Sequence, residues 1–448
     1  MYQQVEARAQ HERPRKVYTS GVRALRLGYA HGAMGAWRTA VMIALVTLSL
    51  CLPLAACAPL VSTSAPVDTI TFGATIPITG RDVVEGRSVL DGYLIYINAI
   101  NAQGGLLVGG RRYHVTLDYY DDQSDPALTA QLYQKLITHD GVNFLLGPYS
   151  SLLTAAAVPV AERYGIPMVA AHGSADSSYS PRDKYVFSVV SPANDYLRGV
   201  VAIVLQKDPT ASTVAMLGAD DQFAHEVLTG AADYAQQRGM KVVYEQYYPL
   251  NASDISAQLA AMKSLRPDLV LVAGHLQDGI LFVRQAHSIC LSPKAVGITV
   301  GPAITAFRTN LGADGNFIFG ATQWTSALNY HGDDLWGTPK AYANAFLTAF
   351  PSYTEVPYQA ADSTAGLLAF QQALQTAGSL DAVQVANALA HLDFMTFYGR
   401  IKFDSRGVNI YKPMAVTQLQ PDGGDYTVFP LDVAQRAALY PMPPCMGG

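Results

Sequence analysis

The sequence is poor in charge and lacks an excess of basic residues. Only 15% of its 448 residues are charged, against about 25% in a typical soluble protein. Its 30 Lys and Arg residues are outnumbered by 35 Asp and Glu residues. Nucleic acid is therefore not expected as a partner, because nucleic-acid-binding proteins need a basic surface. Half of the chain is hydrophobic, which excludes wholesale disorder, and the length indicates two or three domains.

Cysteine is also scarce, with four residues in the chain. That number is too small for a disulfide scaffold, and no CxxC or Cys/His spacing indicates a structural zinc site. Cys51 and Cys57 belong to an N-terminal segment that is separate from the fold. Cys290 and Cys445 can pair in an oxidising compartment, but we expect a buried thiol at Cys290 and a free thiol in the C-terminal tail at Cys445.

The sequence contains none of the short motifs that most often carry catalysis. It has no GxSxG nucleophile turn, no HExxH zinc motif and no GxxxxGK[ST] phosphate loop. The acidic segment Asp121–Asp125 lacks the glycine and the terminal glutamate of a calcium loop, so we interpret it as a turn followed by a helix cap. We therefore expect a protein that is not an enzyme and that holds no metal and no cofactor.

The first 56 residues have the pattern of an export signal. Seven Arg and Lys residues precede an apolar run over residues 39–56. The run ends in Leu-Ala-Ala-Cys57, which resembles a bacterial lipobox, where cleavage exposes a cysteine that is acylated. A transmembrane anchor is the alternative, since 18 residues can just span a bilayer. Pro53 and the lipobox favour a lipoprotein.

We predict a signal peptide over residues 1–56 and a lipidated linker over 57–67, which is rich in Pro, Ser and Ala. The lipid on Cys57 would hold the exported protein at the outer face of the cell membrane or in the periplasm. Met34 is an alternative start, because a more usual basic n-region follows it.

From Thr69 onward, strand-like segments alternate with amphipathic helices. The predicted strands cover residues 69–75, 114–120, 144–146, 167–170, 213–217, 241–247 and 269–272. The predicted helices cover residues 86–101, 125–139, 153–164, 225–238, 254–265 and 279–288. Such alternation predicts parallel sheets that helices cover on both faces. We interpret the two runs, joined near residues 188–194, as two doubly wound lobes of an α/β protein.

The segment Asn98–Pro126 resembles the N-terminal lobe of the leucine/isoleucine/valine-binding protein family. Further matches are Pro77–Gly80, Gly147–Ser151 and Gly399–Asp404, and in this order and spacing they extend the resemblance over residues 68–430. Members of this family are solute-binding proteins of ABC importers and have the type I periplasmic-binding fold. The resemblance implies that fold here, with two doubly wound parallel-sheet lobes joined by a three-strand hinge.

The resemblance also implies how the chain is divided and what it does. The first lobe would hold residues 68–190 and 325–398, and the second lobe residues 191–324 and 399–448. The implied function is delivery of a branched-chain amino acid or a similar small solute to an ABC permease in the membrane, with hinge closure around the solute. Two alternatives stay open: a binder of amides, urea or aromatic acids, and a ligand-sensing module for a membrane receptor.

Polar residues follow two neighbouring strands of the predicted first lobe. In open parallel sheets, ligands bind beyond the carboxyl ends of the strands, where helix N-termini favour a carboxylate. Ser151 follows strand 144–146, and Ser174 follows strand 167–170. The resemblance implies that both hydroxyls hold a ligand carboxylate and that the main chain of His172 contributes. Helix capping or a turn is the alternative role for each serine.

The second lobe is less faithful to the family pattern. Phe223 and His275 match positions where relatives carry aromatic residues of the cleft, although His275 can equally be a core or capping histidine. Amino-acid binders often place an acid after the following strand to hold the ligand's ammonium, and here Val300 lies near that position. An ammonium without an anion would be costly in a closed cleft, which argues against an unmodified amino acid. Three acids could substitute: Asp220, Asp221 and Asp278.

Overall fold

The structure is a computed structural model that describes residues 68–444. The predicted signal peptide and linker, with the lipidation site Cys57, lie outside the described residues, and so does Cys445. Within residues 68–444, no helix is both long and apolar enough to cross a membrane.

The strands of the described chain form two large sheets and one hairpin. In chain order they are β1 (Thr69–Ile76), β2 (Leu106–Val108), β3 (Arg111–Asp121), β4 (Phe144–Leu146), β5 (Met168–Ala170), β6 (Val186–Ser188), β7 (Thr213–Ala219), β8 (Lys241–Tyr248), β9 (Leu269–Ala273), β10 (Ala295–Ile298), β11 (Phe319–Thr322), β12 (Asp393–Thr396), β13 (Gly399–Lys402), β14 (Ala415–Leu419) and β15 (Asp425–Phe429).

The α-helices lie between these strands and on the faces of the sheets. In chain order they are α1 (Val83–Ala102), α2 (Pro126–Lys135), α3 (Ser151–Tyr164), α4 (Arg198–Lys207), α5 (Gln222–Gln237), α6 (Ser256–Leu265), α7 (Leu276–Ser288), α8 (Thr305–Leu311), α9 (Pro339–Ala349), α10 (Tyr358–Ala377) and α11 (Ala382–Ala390).

The first sheet has the strand order β2-β3-β1-β4-β5-β6, and the second has the order β15-β14-β11-β10-β9-β7-β8. Most neighbouring strands are parallel, with a helix on the connection between them. The predicted α/β class with two doubly wound lobes is confirmed. Antiparallel strands extend one edge of each sheet, where short connections permit that pairing. We call the unit around the first sheet the first lobe and the unit around the second sheet the second lobe.

The chain passes between the two sheets three times, after β6, after β11 and between β13 and β14. The side-chain amide of Gln323, on the second connection, accepts a hydrogen bond from Ser191 N at 3.0 Å and donates to Ser191 O at 3.1 Å. Lys412 Nζ, on the third connection, donates to the Gln323 carbonyl oxygen at 2.6 Å. Hydrogen bonds thus join the three connections at one hinge.

Helix α10 is buried on nearly all of its faces within the first lobe. Helix α1 packs against it at Gly92, where a Cβ atom would lie 2.3 Å from the carbonyl oxygen of Ala360. Only glycine permits this approach. Thr364 Oγ1 also donates to the Gly92 carbonyl oxygen at 2.7 Å. This tight packing determines where the side chains of α10 lie relative to the loops of the first sheet.

Cys290 differs from the sequence prediction of a buried thiol. It lies half-exposed in the turn after α7 and is disulfide-bonded. Chain reversal at the helix end brings the residue to the surface, where a second sulfur can reach it. Cys290 is the only cysteine among the described residues, and the expectation of a free thiol at this position is wrong. Pairing with Cys445 is the alternative that the sequence left open.

Candidate ligand-binding cleft

A small cavity of about 20 Å³ lies between the two lobes, at the carboxyl ends of the strands. It is lined by Tyr149, Ser151, His172, Ser174, Val190, Tyr196, Phe223, His275, Val300, Tyr358 and Asp362. The five residues that the sequence predicted as ligand contacts all belong to this lining. The structure brings them together from both lobes, while their contact with a ligand stays a prediction.

Two loops of the first lobe meet at Ser151. The backbone of Ser150 has a φ of 79°, which is uncommon outside glycine and turns the chain into α3. Ser151 Oγ accepts hydrogen bonds from the backbone N–H groups of Ser174 at 3.2 Å and Ala175 at 3.1 Å. Because a hydroxyl has two acceptor sites and one proton, its proton remains available to an acceptor in the cavity.

The N-terminus of α3 also favours an anion at this point. Ser150 makes no side-chain cap hydrogen bond, and the first turn of α3 contains no acidic residue. Helix N-termini carry partial positive charge on their N–H groups. Ser151, Ser174 and this helix end can therefore hold a carboxylate or an amide oxygen together.

His172 is buried beside Ser151 and Ser174 and is neutral. Burial lowers the pKa of its imidazole to about 3. Its Nε2 lies 2.9 Å from Ser363 Oγ, and its Nδ1 lies 3.9 Å from Asp362 Oδ2. Its ring also packs against Tyr149, with ring centres 5.6 Å apart. The side chain of His172 thus adds a neutral aromatic surface to the cavity. The contribution implied by the resemblance was that of its main chain.

The second lobe contributes mainly rings and an aliphatic side chain. Phe223, at the start of α5, packs against the ring of His275 at 5.4 Å and edge-on against Tyr196 at 5.1 Å. His275 also precedes α7 as its cap residue, and its backbone N–H donates to Asp278 Oδ2 at 2.8 Å. His275 therefore caps α7 and also lines the cleft. Burial, with a smaller contribution from Arg81, lowers its pKa to about 3.

Sequence reasoning missed part of the lining, above all Asp362 and Tyr358 on α10. Asp362 is 1% exposed and is the one carboxylate that lines the cavity. No strand or helix after residue 288 was predicted apart from the Gly399–Asp404 match, so α10 was not considered. An acid within a long apolar segment was the available signal, because buried acids are rare unless they are paired.

Three acids could replace the ammonium-binding acid that the family often places near Val300, and each of them has another partner. Asp278 pairs with Arg81 Nη2 at 2.5 Å, and Asp221 accepts from Ala224 N at 2.8 Å at the start of α5. Asp220 lies 2.8 Å from a ring nitrogen of His225 at the surface. None of the three belongs to the cavity lining. The sequence prediction that one of them replaces the acid near Val300 therefore finds no support in the geometry.

Contacts across the cleft hold the lobes closed. Arg81 of the first lobe forms its ion pair with Asp278 of the second. In the opposite direction, Gln222 Nε2 donates to the carbonyl oxygen of Ser151 at 2.8 Å. Tyr149 OH lies 3.2 Å from His275 Nδ1, which adds a link beside the cavity.

Acidic side chains of the first lobe are buried at the same interface. Glu85 accepts a hydrogen bond from Leu276 N of the second lobe at 3.3 Å. Burial raises the pKa of Glu85 to about 8 and that of Asp82 to about 6. Donor atoms of Asp82, Glu85 and His275 lie within 4.8 Å of one another, close enough for a metal ion. The positive charge of Arg81 acts on both carboxylates. The Arg81 guanidinium therefore already serves as the cation beside Asp82 and Glu85.

A family model described as periplasmic binding protein matches residues 69–425 of the chain. A relative among characterised sequences is the Leu/Ile/Val-binding protein homolog 8 of Brucella abortus. It is 27% identical over 362 residues, which are 77% of this chain and 86% of the relative.

Two solved structures have the same fold. One is the branched-chain amino acid transporter substrate-binding protein of Streptococcus pneumoniae in complex with isoleucine, with a TM-score of 0.68 and 19% identity over 84% of this chain and 100% of that chain. The other is a solute-binding protein of an ABC transporter from R. palustris in complex with benzoate. Its TM-score is 0.67, with 19% identity over 84% of this chain and 99% of that chain.

Proposed function

Because the chain belongs to the periplasmic binding protein family, we propose that it is the solute-binding component of an ABC importer for an amino acid or a similar small solute. The family consists of extracytoplasmic solute-binding proteins and is not an enzyme family. The observation that carries the proposal is the cavity that both lobes line at the carboxyl ends of their strands. Ligands of open α/β sheets bind at such edges.

Hinge closure is the mechanism we propose for binding. We take the first lobe as residues 68–190 and 325–402, so that the hairpin of β12 and β13 stays in one lobe, and the second as residues 191–324 and 403–444. The lobes contact each other around the cavity, so a solute can reach it only when they separate. Binding and closure are then one equilibrium, and the closed form docks on the permease.

We propose that the carboxylate or carbonyl end of the solute lies against Ser151 and Ser174, near the N-terminus of α3. The apolar part of the solute would lie between Phe223 and Val300 of the second lobe. The Brucella relative is named as a Leu/Ile/Val-binding protein homolog, which supports an amino acid as the solute.

An aromatic acid or an amide is the second candidate for the solute. The rings of Tyr149, Tyr196, Phe223 and Tyr358 line the cavity, and the R. palustris structure with the same fold holds benzoate. A role as a ligand-sensing module for a membrane receptor would use the same cavity. A gene for a kinase rather than a permease beside this one would favour that role.

A thermal-shift screen over amino acids, amides, urea and aromatic acids tests the proposal. A solute that binds the folded state only should raise the melting temperature as its concentration exceeds the dissociation constant, by about 2.7 kcal/mol of stability at a hundred-fold excess. The Ser151→Ala variant is the control, since it should need a higher concentration of the same solute. A screen in which no compound raises the melting temperature would count against solute binding.

We also propose that the protein is anchored by a lipid on Cys57, after removal of residues 1–56. The Leu-Ala-Ala-Cys sequence supports this. Cys57→Ser should release the protein from membranes or stall its processing, which fractionation and the mass of the mature chain would show. Normal cleavage with unchanged membrane retention would contradict the anchor.

A further inference from the structure

Asp362 is an unusual component of the cleft, because one oxygen of its buried carboxyl group lacks a hydrogen-bond donor within residues 68–444. It lies in the first half of α10, is 1% exposed and lines the cavity. Among the described residues, its Oδ1 atom has no hydrogen-bond partner. A buried carboxylate oxygen without a donor is costly, so the position calls for a donor that the cavity itself can supply.

The described side chains around Asp362 leave Oδ1 without a donor, although the Tyr398 hydroxyl is hydrogen-bonded to the same carboxyl group. The nearest nitrogen of His172 lies 3.9 Å from Oδ2, and this imidazole is neutral. The charge of Lys412 acts on Asp362, but the Lys412 ammonium donates to the Gln323 carbonyl oxygen at 2.6 Å. Tyrosine hydroxyls are the other titratable groups facing it: Tyr93, Tyr196, Tyr342, Tyr358 and Tyr398.

The charge balance of the cavity points in the same direction. Its lining contains no Lys or Arg, both of its histidines are neutral, and Asp362 is its one carboxylate. A solute that carries only negative charge would place a second anion in this closed space. A solute with a positive nitrogen would instead satisfy the free oxygen of Asp362 and balance its charge.

We propose that Asp362 binds the protonated nitrogen of the solute, and so selects amine-bearing solutes over acids that lack nitrogen. The inference rests on the proposed function and specifies the solute class of the same cavity. The first lobe would then hold both polar ends of the solute, with its carboxylate at Ser151 and Ser174 and its ammonium at Asp362. The second lobe would close over the apolar part with Phe223.

Burial raises the pKa of the Asp362 carboxyl group well above its usual range. An incoming ammonium favours the ionised form. Replacing Asp362 should therefore change the number of protons exchanged when an amine-bearing solute binds, which calorimetry in buffers of different ionisation enthalpy detects.

The experiment compares matched probes by calorimetry: L-leucine with 4-methylpentanoate, and L-phenylalanine with 3-phenylpropanoate. The wild-type protein should bind the amino acid of at least one pair roughly ten- to hundred-fold more tightly than its nitrogen-free partner. In Asp362→Asn this preference should fall to about three-fold or less, and the number of protons exchanged on binding should differ from that of the wild type. Asp221→Asn, which removes a buried carboxylate outside the cavity, should retain the preference.

Two outcomes would overturn the inference: equal or tighter binding of the nitrogen-free acids by the wild type, or an unchanged preference in Asp362→Asn. The first readout needs no variant, so it remains decisive if Asp362→Asn fails to fold. Binding of none of the four probes would also overturn it. The proposed function would then stand if amides, urea or benzoate stabilise the protein, and would fail if they do not.

Discussion

The two lobes contribute differently to the same cavity. The first lobe supplies hydroxyls and a carboxylate from Ser151, Ser174 and Asp362, whereas the second supplies Phe223, His275 and Val300. The difference indicates that polar recognition belongs to one lobe. The other lobe covers the solute and provides the contacts of closure.

The helix N-termini show why the lobes differ. At α3 in the first lobe, no side chain caps the helix and no acid lies in the first turn. At α5 and α7 in the second lobe, Asp221 and Asp278 already accept backbone N–H groups. A capped N-terminus with its own carboxylate repels a second anion, and an uncapped one attracts it.

Removal of the first-lobe hydroxyls should have the largest effect on binding. A hydrogen bond to a charged group is worth about 1.5–3 kcal/mol, so Ser151→Ala and Ser174→Ala should each weaken binding roughly ten- to hundred-fold. Calorimetry with the solute identified by the screen measures this. Wild-type affinity in both variants would place recognition outside the first lobe.

The Ser151→Ala variant should also be less stable than the wild type. Ser151 Oγ accepts two buried N–H groups, and an unsatisfied buried donor costs about 1–3 kcal/mol. Urea unfolding should therefore show a clear loss for Ser151→Ala. Ser264→Ala, at an exposed position of α6, is the control and should show little loss.

The pH dependence of binding should come from the closure interface. Glu85 has a pKa of about 8 in the closed form and approaches its ordinary value of 4.5 when the lobes separate. Closure then takes up a proton between these values, so affinity should fall as pH rises from about 6 to about 8, by up to roughly ten-fold per pH unit.

Glu85→Gln should remove most of this fall, because glutamine does not titrate. Asp82, with a pKa of about 6, leaves a smaller dependence near and below that pH. Glu245→Gln, at an exposed position of β8, should keep the wild-type profile. An unchanged profile in Glu85→Gln would mean that the proton is taken up elsewhere.

Loss of the inter-lobe ion pair should have the smallest effect. Arg81→Gln leaves Asp278 without its cation at the interface, which disfavours the closed form. We expect affinity to fall roughly two- to five-fold, since no contact with the solute is removed. Small-angle scattering should show a larger solute-free radius of gyration, while Arg163→Gln, exposed on α3, should match the wild type. An unchanged radius and affinity would show that other contacts determine closure.

Much of the secondary structure up to residue 288 could be predicted from local patterns. The segments predicted as 144–146 and 241–247 are β4 and β8, within one residue at each end. The hydrophobic periodicity that revealed α1 and α5 is missing from α10, because this helix is buried on nearly every face. Asp362 therefore had no place in the predicted lobe, although it lines the cavity.

The sequence by itself determined the α/β alternation, the family and the loops that carry Ser151, Ser174 and Phe223, because strand and helix periodicity and short motifs are local properties. Only the tertiary structure decided that Asp362 lines the same cavity as those serines, that Asp221 and Asp278 act as helix caps, and that Asp278 pairs with Arg81 across the cleft. Those outcomes depend on contacts between residues that are far apart in the chain. Packing of α10 on α1 at Gly92 places the carboxylate in the cleft, and no local pattern records that packing.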